Sequence, residues 1–251
     1  MAPILYCGDT SLETAASYLA GMMSSCGMNF DYVPSDERVA PDDLADRDLV
    51  ILSDYPAAQM DDTSQAALLN TVHAGTGLLM IGGWESFHGL DGHWDATKIA
   101  DALPVTMQSD DDRINCDQSA VVRAVQDHPA IAGLPWRDRP PCIGGLNRFT
   151  TKPDAVEVLS ADRLQLTITD SEAIQLEVLE THPLLVFGTY GKGRTAALAT
   201  DVAPHWVGGW VDWGEGRVEA KADGAEAIEV GDLYVQFWRQ LLSELQQGAE
   251  A

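Results

Sequence analysis

Apolar residues fall along the first third of the chain in short continuous runs separated by stretches of helical spacing. Pro3 to Cys7 is a short apolar strand. Gly8-Asp9-Thr10 supplies a turn and a helix cap, and Leu12, Ala15, Ala16, Leu19, Met22 and Met23 then recur three and four apart up to Gly27. Met28 to Pro34 predicts a second strand, and Pro41-Asp42-Asp43 a one-turn helical connection. The run Leu49 to Tyr55 suits a parallel strand covered on both faces. Asp61-Asp62-Thr63-Ser64 opens a helix through Leu68, Leu69 and Val72 that Gly75 to Gly77 ends, and Leu78 to Ile81 is the next strand. Strand, helix, strand, helix, strand predicts a doubly wound parallel sheet.

That last strand stops at Gly82-Gly83 and is followed by Trp84-Glu85-Ser86-Phe87-His88-Gly89. Ligands of open α/β sheets collect at the carboxyl ends of strands, so the Gly83 to Gly89 elbow is the first candidate pocket. Beyond it the pattern predicts a helix over Trp94 to Leu103, a strand over Pro104 to Met107, a solvated turn over Asp110 to Arg113, and a helix over Gln118 to Gln126. Trp136 to Pro141 predicts a surface loop. The second half alternates apolar and polar residues at 156–159, 164–168 and 174–178, as half-exposed antiparallel strands do. Gly191-Lys192-Gly193-Arg194 joins two further strands as a hairpin. The glycine-rich, acidic segment 214–231 is expected to protrude, and Asp232 to Leu245 forms an amphipathic closing helix. A single domain over 1–251 follows, since no repeat or low-complexity linker interrupts the chain.

Composition excludes some partners. The 251 residues carry 39 Asp plus Glu against 15 Lys plus Arg, a formal net charge of −24. That field repels phosphate backbones and anionic membrane surfaces, so no nucleic acid and no membrane are expected as partners. No apolar stretch reaches the ~18 residues needed to span a bilayer, and no basic leader precedes the first strand. The four cysteines, at 7, 26, 116 and 142, show no paired spacing, so free thiols in a cytoplasmic protein are expected.

Several of these blocks resemble a known family. Leu49 to Tyr55 and its following helix, Gly77 to Phe87, Leu103-Pro104-Val105, Asp111-Asp112-Arg113, Tyr190 to Arg194 and Asp201-Val202-Ala203-Pro204-His205-Trp206 are similar to the glutamine amidotransferase-like family of the class I glutamine amidotransferase fold. Fold relatives include the ThuA-like proteins and the trimerisation domain of β-galactosidases. The resemblance implies a flavodoxin-like three-layer α/β/α sandwich, with a mostly parallel central sheet and added antiparallel strands in the second half. Fold alone does not imply glutamine hydrolysis. Working members use a cysteine in a G-x-C-x-G elbow, a histidine, and a glutamate two residues after it, because the chemistry needs a thiolate, a proton carrier and an orienting carboxylate. Here the elbow has no cysteine, and His205 is followed by Trp206-Val207. Glutaminase activity is therefore not expected.

The candidate catalytic residues are Glu85, Ser86, Asp201 and His205; Asp201 and His205 follow a strand that would end beside the Gly83 turn. Gly82, Gly83, Trp84, His88, Arg113 and Trp206 are the candidate ligand-binding residues for a small polar molecule. Ser86 suits either a nucleophile, with His88 or His205 as its base, or a backbone cap, and Glu85 a general acid-base role or an ion pair. His88, Asp91, His93 and Asp95 have ligand chemistry, but no helix or hairpin is predicted to fix them, so no metal and no cofactor are expected. The alternative function is a structural or assembly module, a homo-oligomer or a protein-docking domain, with Trp206, Trp210 and Trp213 as anchors.

Overall fold

The computed structural model describes residues 1–169 and 173–248. Its centre is a nine-stranded sheet. Five strands run parallel: β1 (Ile4–Gly8), β2 (Phe30–Val33), β3 (Leu49–Ser53), β4 (Gly77–Ile81) and, further along the chain, the strand Gly193–Leu198. Every residue of β1, β3 and β4 is buried, which is why each reads as an unbroken apolar run. Helix α1 (Ala16–Ser25) packs with the closing helix, and α2 (Asp62–Ala74) packs with α3 (Ile99–Ala102), giving helical layers on the two faces of a flavodoxin-like sandwich. Asp61 caps α2 by accepting from the Ser64 amide at 2.9 Å, and Gly75 at φ 136° ends it.

The remaining elements are β5 (Val105–Met107), β6 (Arg113–Ala124), β7 (Cys142–Asn147), β8 (Phe149–Thr151), β9 (Val156–Ile168), β10 (Ile174–Tyr190), β11 (Gly193–Leu198), the one-turn α4 (Pro204–Val207), β12 (Arg217–Ala220), β13 (Ile228–Gly231) and α5 (Asp232–Leu245). The sheet order is β2-β1-β3-β4-β11-β10-β9-β6-β7, with antiparallel pairing from β11 onward. β5 and β8 pair separately.

Four expectations need correction. Residues 118–126 are predicted as a helix, but 118–124 lie in β6, where Ala120 and Val122 alternate inward and the strand is claimed by β9 on one side and β7 on the other. Strand pairing overrides a weak local signal there. The helix expected over Trp94 to Leu103 breaks into a 3-10 turn at Trp94–Ala96 and the single turn α3, because Thr97 between them is extended. Segment 214–231 does not protrude: β12 and β13 pair and lie against α1, burying Ala222, Ala225 and Ile228. The tryptophans offered as interface anchors are core residues; Trp206, Trp210 and Trp213 are 1%, 0% and 4% exposed.

Candidate functional site

The register of the parallel strands places Gly8, Ser53, Ile81 and Leu198 in one row across the sheet. The chain leaves each strand just beyond that row, and three of the four exits carry an aspartate: Asp9 after β1, Asp54 after β3 and, two residues further on, Asp201 after β11. The fourth exit is Gly82-Gly83 after β4, leading to Glu85. Acidic side chains from four elements thus converge at the carboxyl end of the sheet.

Backbone conformation at these exits is unusual. Asp9 (φ 51°), Asp54 (φ 44°) and Phe87 (φ 53°) are left-handed, a state that non-glycine residues hold only where surrounding contacts enforce it. Gly82 and Gly83 are required for packing: an added Cβ at Gly82 would lie 2.1 Å from the Ala199 carbonyl oxygen, and one at Gly83 would lie 2.5 Å from Asp54 Oδ1.

Asp54 is the hub. The Glu85 amide donates to its Oδ1, and its own amide donates to Ser86 Oγ at 3.0 Å. Ser86 is 1% exposed, and its hydroxyl donates to the Ile81 carbonyl. Both sides of that hydroxyl are therefore used in holding the turn, and the serine acts as a clamp between β3 and β4. Asp54, Asp201 and Glu85 are half-buried, and Asp9 lies beneath them at 2% exposure.

Burial raises the proton affinity of all four carboxyls, and a neighbouring carboxylate adds to it at Asp9, Glu85 and Asp201. Burial and then the charge of Asp54 push Asp201 up to about 7, although bonds from the Val202 and Ala203 amides oppose the rise. Burial and the charge of Asp201 push Asp9 well above the carboxylate range, against a hydrogen bond donated by the Tyr6 hydroxyl to Asp9 Oδ2. Asp54 is raised by burial, and Glu85 by burial and then by Asp54 and Asp91. Such a group cannot be fully ionised at neutral pH; its protons belong to the cluster and not to one residue. It can accept hydrogen bonds, hold a cation or amine, and exchange a proton with a bound molecule.

The rim is aromatic and basic. Trp84 is 43% exposed, with the Arg113 guanidinium 4.5 Å from its ring centroid and the His205 ring 6.3 Å away, edge to face. Arg113 is held in place by Asp111, through Nε to Oδ1 and Nη2 to Oδ2, both at 2.8 Å. That pair lowers the Asp111 carboxyl to about 2. Trp206 stands behind this rim, with its indole N–H on Asn115 Oδ1 at 2.8 Å.

Asp112 corrects the expectation of a solvated turn. It is 0% exposed and accepts from the His88 and Gly89 amides and from Asn147 Nδ2. Asn147 in turn binds both polar groups of Gly83. This buried chain of bonds fixes the elbow loop from below.

The same loop places His88, His93 and Asp95 so that one ligand atom of each lies within 4.8 Å of the others. Asp95 lies in the 3-10 turn Trp94–Ala96 with His93 at its N-cap, and the segment is fixed by Asp112, by the Trp94 amide on the Phe87 carbonyl and by the Trp94 indole on the Tyr55 carbonyl. His88 Nδ1 and Asp95 Oδ1 are hydrogen-bonded at 2.8 Å. These three residues could hold a metal. A concavity of about 970 Å³, lined by residues 124–129 and 131–138, includes none of the strand-end carboxylates.

The structure therefore brings Glu85, Ser86 and Asp201 together around Asp54, with His205 reached through Trp84. Asp9 and Asp54 were missed by sequence reasoning. Their signal was present: Cys7-Gly8-Asp9, Leu52-Ser53-Asp54 and Ala199-Thr200-Asp201 each put an acid directly past a buried apolar run.

Residues 7–218 match the model of a family described as "Putative glutamine amidotransferase". Among solved structures the chain is similar to the cytoplasmic protein STM3548 of Salmonella typhimurium, at 23% identity and TM-score 0.74, over 99% of this chain and 100% of that one. It is similar to the cytoplasmic protein STM1381 of Salmonella typhimurium LT2 at 22% identity and TM-score 0.73, over 96% and 98%. A ThuA-like protein from Parabacteroides merdae aligns at 13% identity and TM-score 0.59, over 100% and 92%. At these identities the likeness is one of fold. No curated protein matches the sequence. Among the described residues no helix is long and apolar enough to cross a membrane.

Proposed function

The chain belongs to the glutamine amidotransferase-like family, and from that premise we propose that its strand-end site binds a small polar molecule through carboxylates and does not hydrolyse glutamine. The observation that carries this reading is the convergence of Asp9, Asp201 and Glu85 on Asp54. An amidotransferase needs a depressed thiol at the elbow. The elbow here has no cysteine, the Ser86 hydroxyl is engaged by Ile81 and Asp54, and burial pushes the Cys7, Cys116 and Cys142 thiols up. What the site offers in quantity is hydrogen-bond acceptors beside one exposed indole. The ligand class that fits is rich in donors: an amine, an amino sugar or a polyol, lying on Trp84 with its N–H or O–H groups toward Asp54, Glu85 and Asp201. His205 and the shared protons of the cluster supply acid-base capacity should the molecule be turned over. The free cysteines and the cytoplasmic neighbours of this fold support a cytoplasmic setting.

Thermal-shift screening of amines, amino sugars and polyols, followed by calorimetry, tests the reading. A hit that binds the wild type and is lost in both Asp54→Asn and Asp201→Asn supports it; a hit retained in both variants removes the carboxylate site. Glutamine with an ammonia assay tests the other half. Turnover that disappears in His205→Ala would restore glutaminase chemistry.

A further inference from the structure

Past its pairing with the rest of the sheet, the β9–β10 hairpin continues into solvent as a two-stranded ribbon. β11 pairs with β10 only from Leu185 to Tyr190, and β6 pairs with β9 only from Leu159 to Arg163. Between Leu164 and Ile168, and between Ile174 and Val178, the ladder partner of each strand is the other. The Leu166 amide, donating to Gln118 Oε1, ties the ribbon back to β6.

The register sets Leu164 opposite Val178, Leu166 opposite Leu176 and Ile168 opposite Ile174. Residues two apart on a strand, and residues directly opposite, share a face. All six aliphatic side chains therefore form one strip, while Gln165, Glu177, Thr167 and Gln175 occupy the reverse. The strip is open to water: Leu166 is 42% exposed, Val178 55%, Leu176 61%, Ile174 65% and Ile168 69%. Together these side chains present on the order of 500 Å² of contiguous apolar surface, well beyond scattered surface hydrophobics.

We propose that this strip is the interface between two copies of the chain. Three observations select a second copy. The first is area: two such strips packed face to face bury on the order of 1,000 Å², the threshold of a specific interface, from the ribbons alone. The second is charge. With a net charge of −24 the bodies of two copies repel, so contact is least opposed at a surface that carries no ionisable group. The six residues of the strip carry none. The third is form: a strip of Leu, Ile and Val is complementary to itself, which is the requirement of a twofold contact. A two-stranded ribbon with an uncovered apolar face is marginal on its own.

Sedimentation velocity on the full chain, across the micromolar range and at low and high salt, tests this. The expected result is a dimer, tighter at high salt where the repulsion between bodies is screened. Leu166→Asp and Leu176→Asp should each raise the dissociation constant at least about 100-fold, because each places a charge in an apolar contact. Gln175→Asp, on the reverse face, should leave it within about threefold. Melting curves verify that the variants fold. Hydrogen exchange on the wild type gives a second readout that needs no variant: amides of 164–168 and 174–178 should slow as concentration rises. A monomer at all concentrations, an oligomer that both leucine variants leave intact, or ribbon exchange independent of concentration would overturn the proposal.

Discussion

Asn147 grips the peptide of Gly83 at both of its polar groups. The Gly83 amide donates to Asn147 Oδ1 at 2.9 Å, and Asn147 Nδ2 donates to the Gly83 carbonyl at 3.1 Å. The same Nδ2 donates to Asp112 Oδ1 at 2.7 Å, and Asp112 holds the His88 and Gly89 amides. One buried side chain on β7 therefore holds Gly83 directly and, through Asp112, the His88–Gly89 end of the elbow.

Asn147→Leu keeps the volume and removes all three bonds. The Gly83 groups and the Asp112 carboxyl are left short of partners in a site without water contact, so urea denaturation should show a loss of about 3–5 kcal/mol. Asn147→Ser, which keeps a hydroxyl but cannot bridge, should recover only a small part of it. A loss under about 1 kcal/mol in the leucine variant would mean that the elbow is held by other contacts.

The two elbow glycines should fail in different ways. A methyl at Gly82 meets the Ala199 carbonyl carbon and oxygen at 2.6 and 2.1 Å, and backbone cannot step aside without parting β4 from β11. Gly82→Ala should cost about 3 kcal/mol or more in denaturation. A methyl at Gly83 meets the Asp54 side chain, which can turn away. Gly83→Ala should therefore lower stability less, by about 1–2 kcal/mol, while displacing Asp54 from the site and abolishing binding of whatever ligand the screen identifies. Equal effects of the two substitutions on stability would contradict this division.

What was legible in the sequence follows what is local. The parallel strands β1, β3 and β4 declare themselves because burial on both faces leaves an unbroken apolar run, and Gly82-Gly83 marks the strand exit. The antiparallel half was less legible. The run from Gln118 has no strict period, and β6 exists because two neighbours hydrogen-bond to it, a fact that no window of its own residues contains. The hub aspartates were hidden for a related reason. Asp54 is one acid among 39 acidic residues, and only the register Gly8–Ser53–Ile81 shows that its exit stands beside those of Asp9 and Gly82.

The acidic surface carries its own prediction. At a formal charge of −24 self-repulsion opposes the compact state, and its range shrinks from about 10 Å at 0.1 M salt to about 3 Å at 1 M. Melting temperature should rise between those salt concentrations by about 4–8 °C, the equivalent of roughly 2 kcal/mol for a chain of this size. Potassium and sodium chloride should act alike, since the effect is screening. A melting temperature independent of salt would show that the acidic groups are too far apart to repel.

The strand-end cluster should make itself visible in the pH dependence of stability. Asp201 titrates at about 7 in the folded chain, because burial and the Asp54 charge both disfavour its ionised form, against 3.8 for an ordinary aspartate. Between those values the folded state holds a proton that the unfolded state has released. Stability contributed by this group is therefore fully present below about pH 4 and is lost as pH rises through about 7. Asp201→Asn cannot ionise, so it removes that slope, and without the Asp201 charge Asp9 ionises more readily. The stability of the wild type minus that of the variant, taken from urea curves at successive pH values, should fall steadily from about pH 4 to pH 7 and level off above it. Asp54→Asn should shift the same fall to lower pH, because Asp54 supplies the charge that raises Asp201. A difference that stays constant over this range would place Asp201 in free contact with water and would dissolve the proton-sharing cluster on which the acid-base capacity of the site depends.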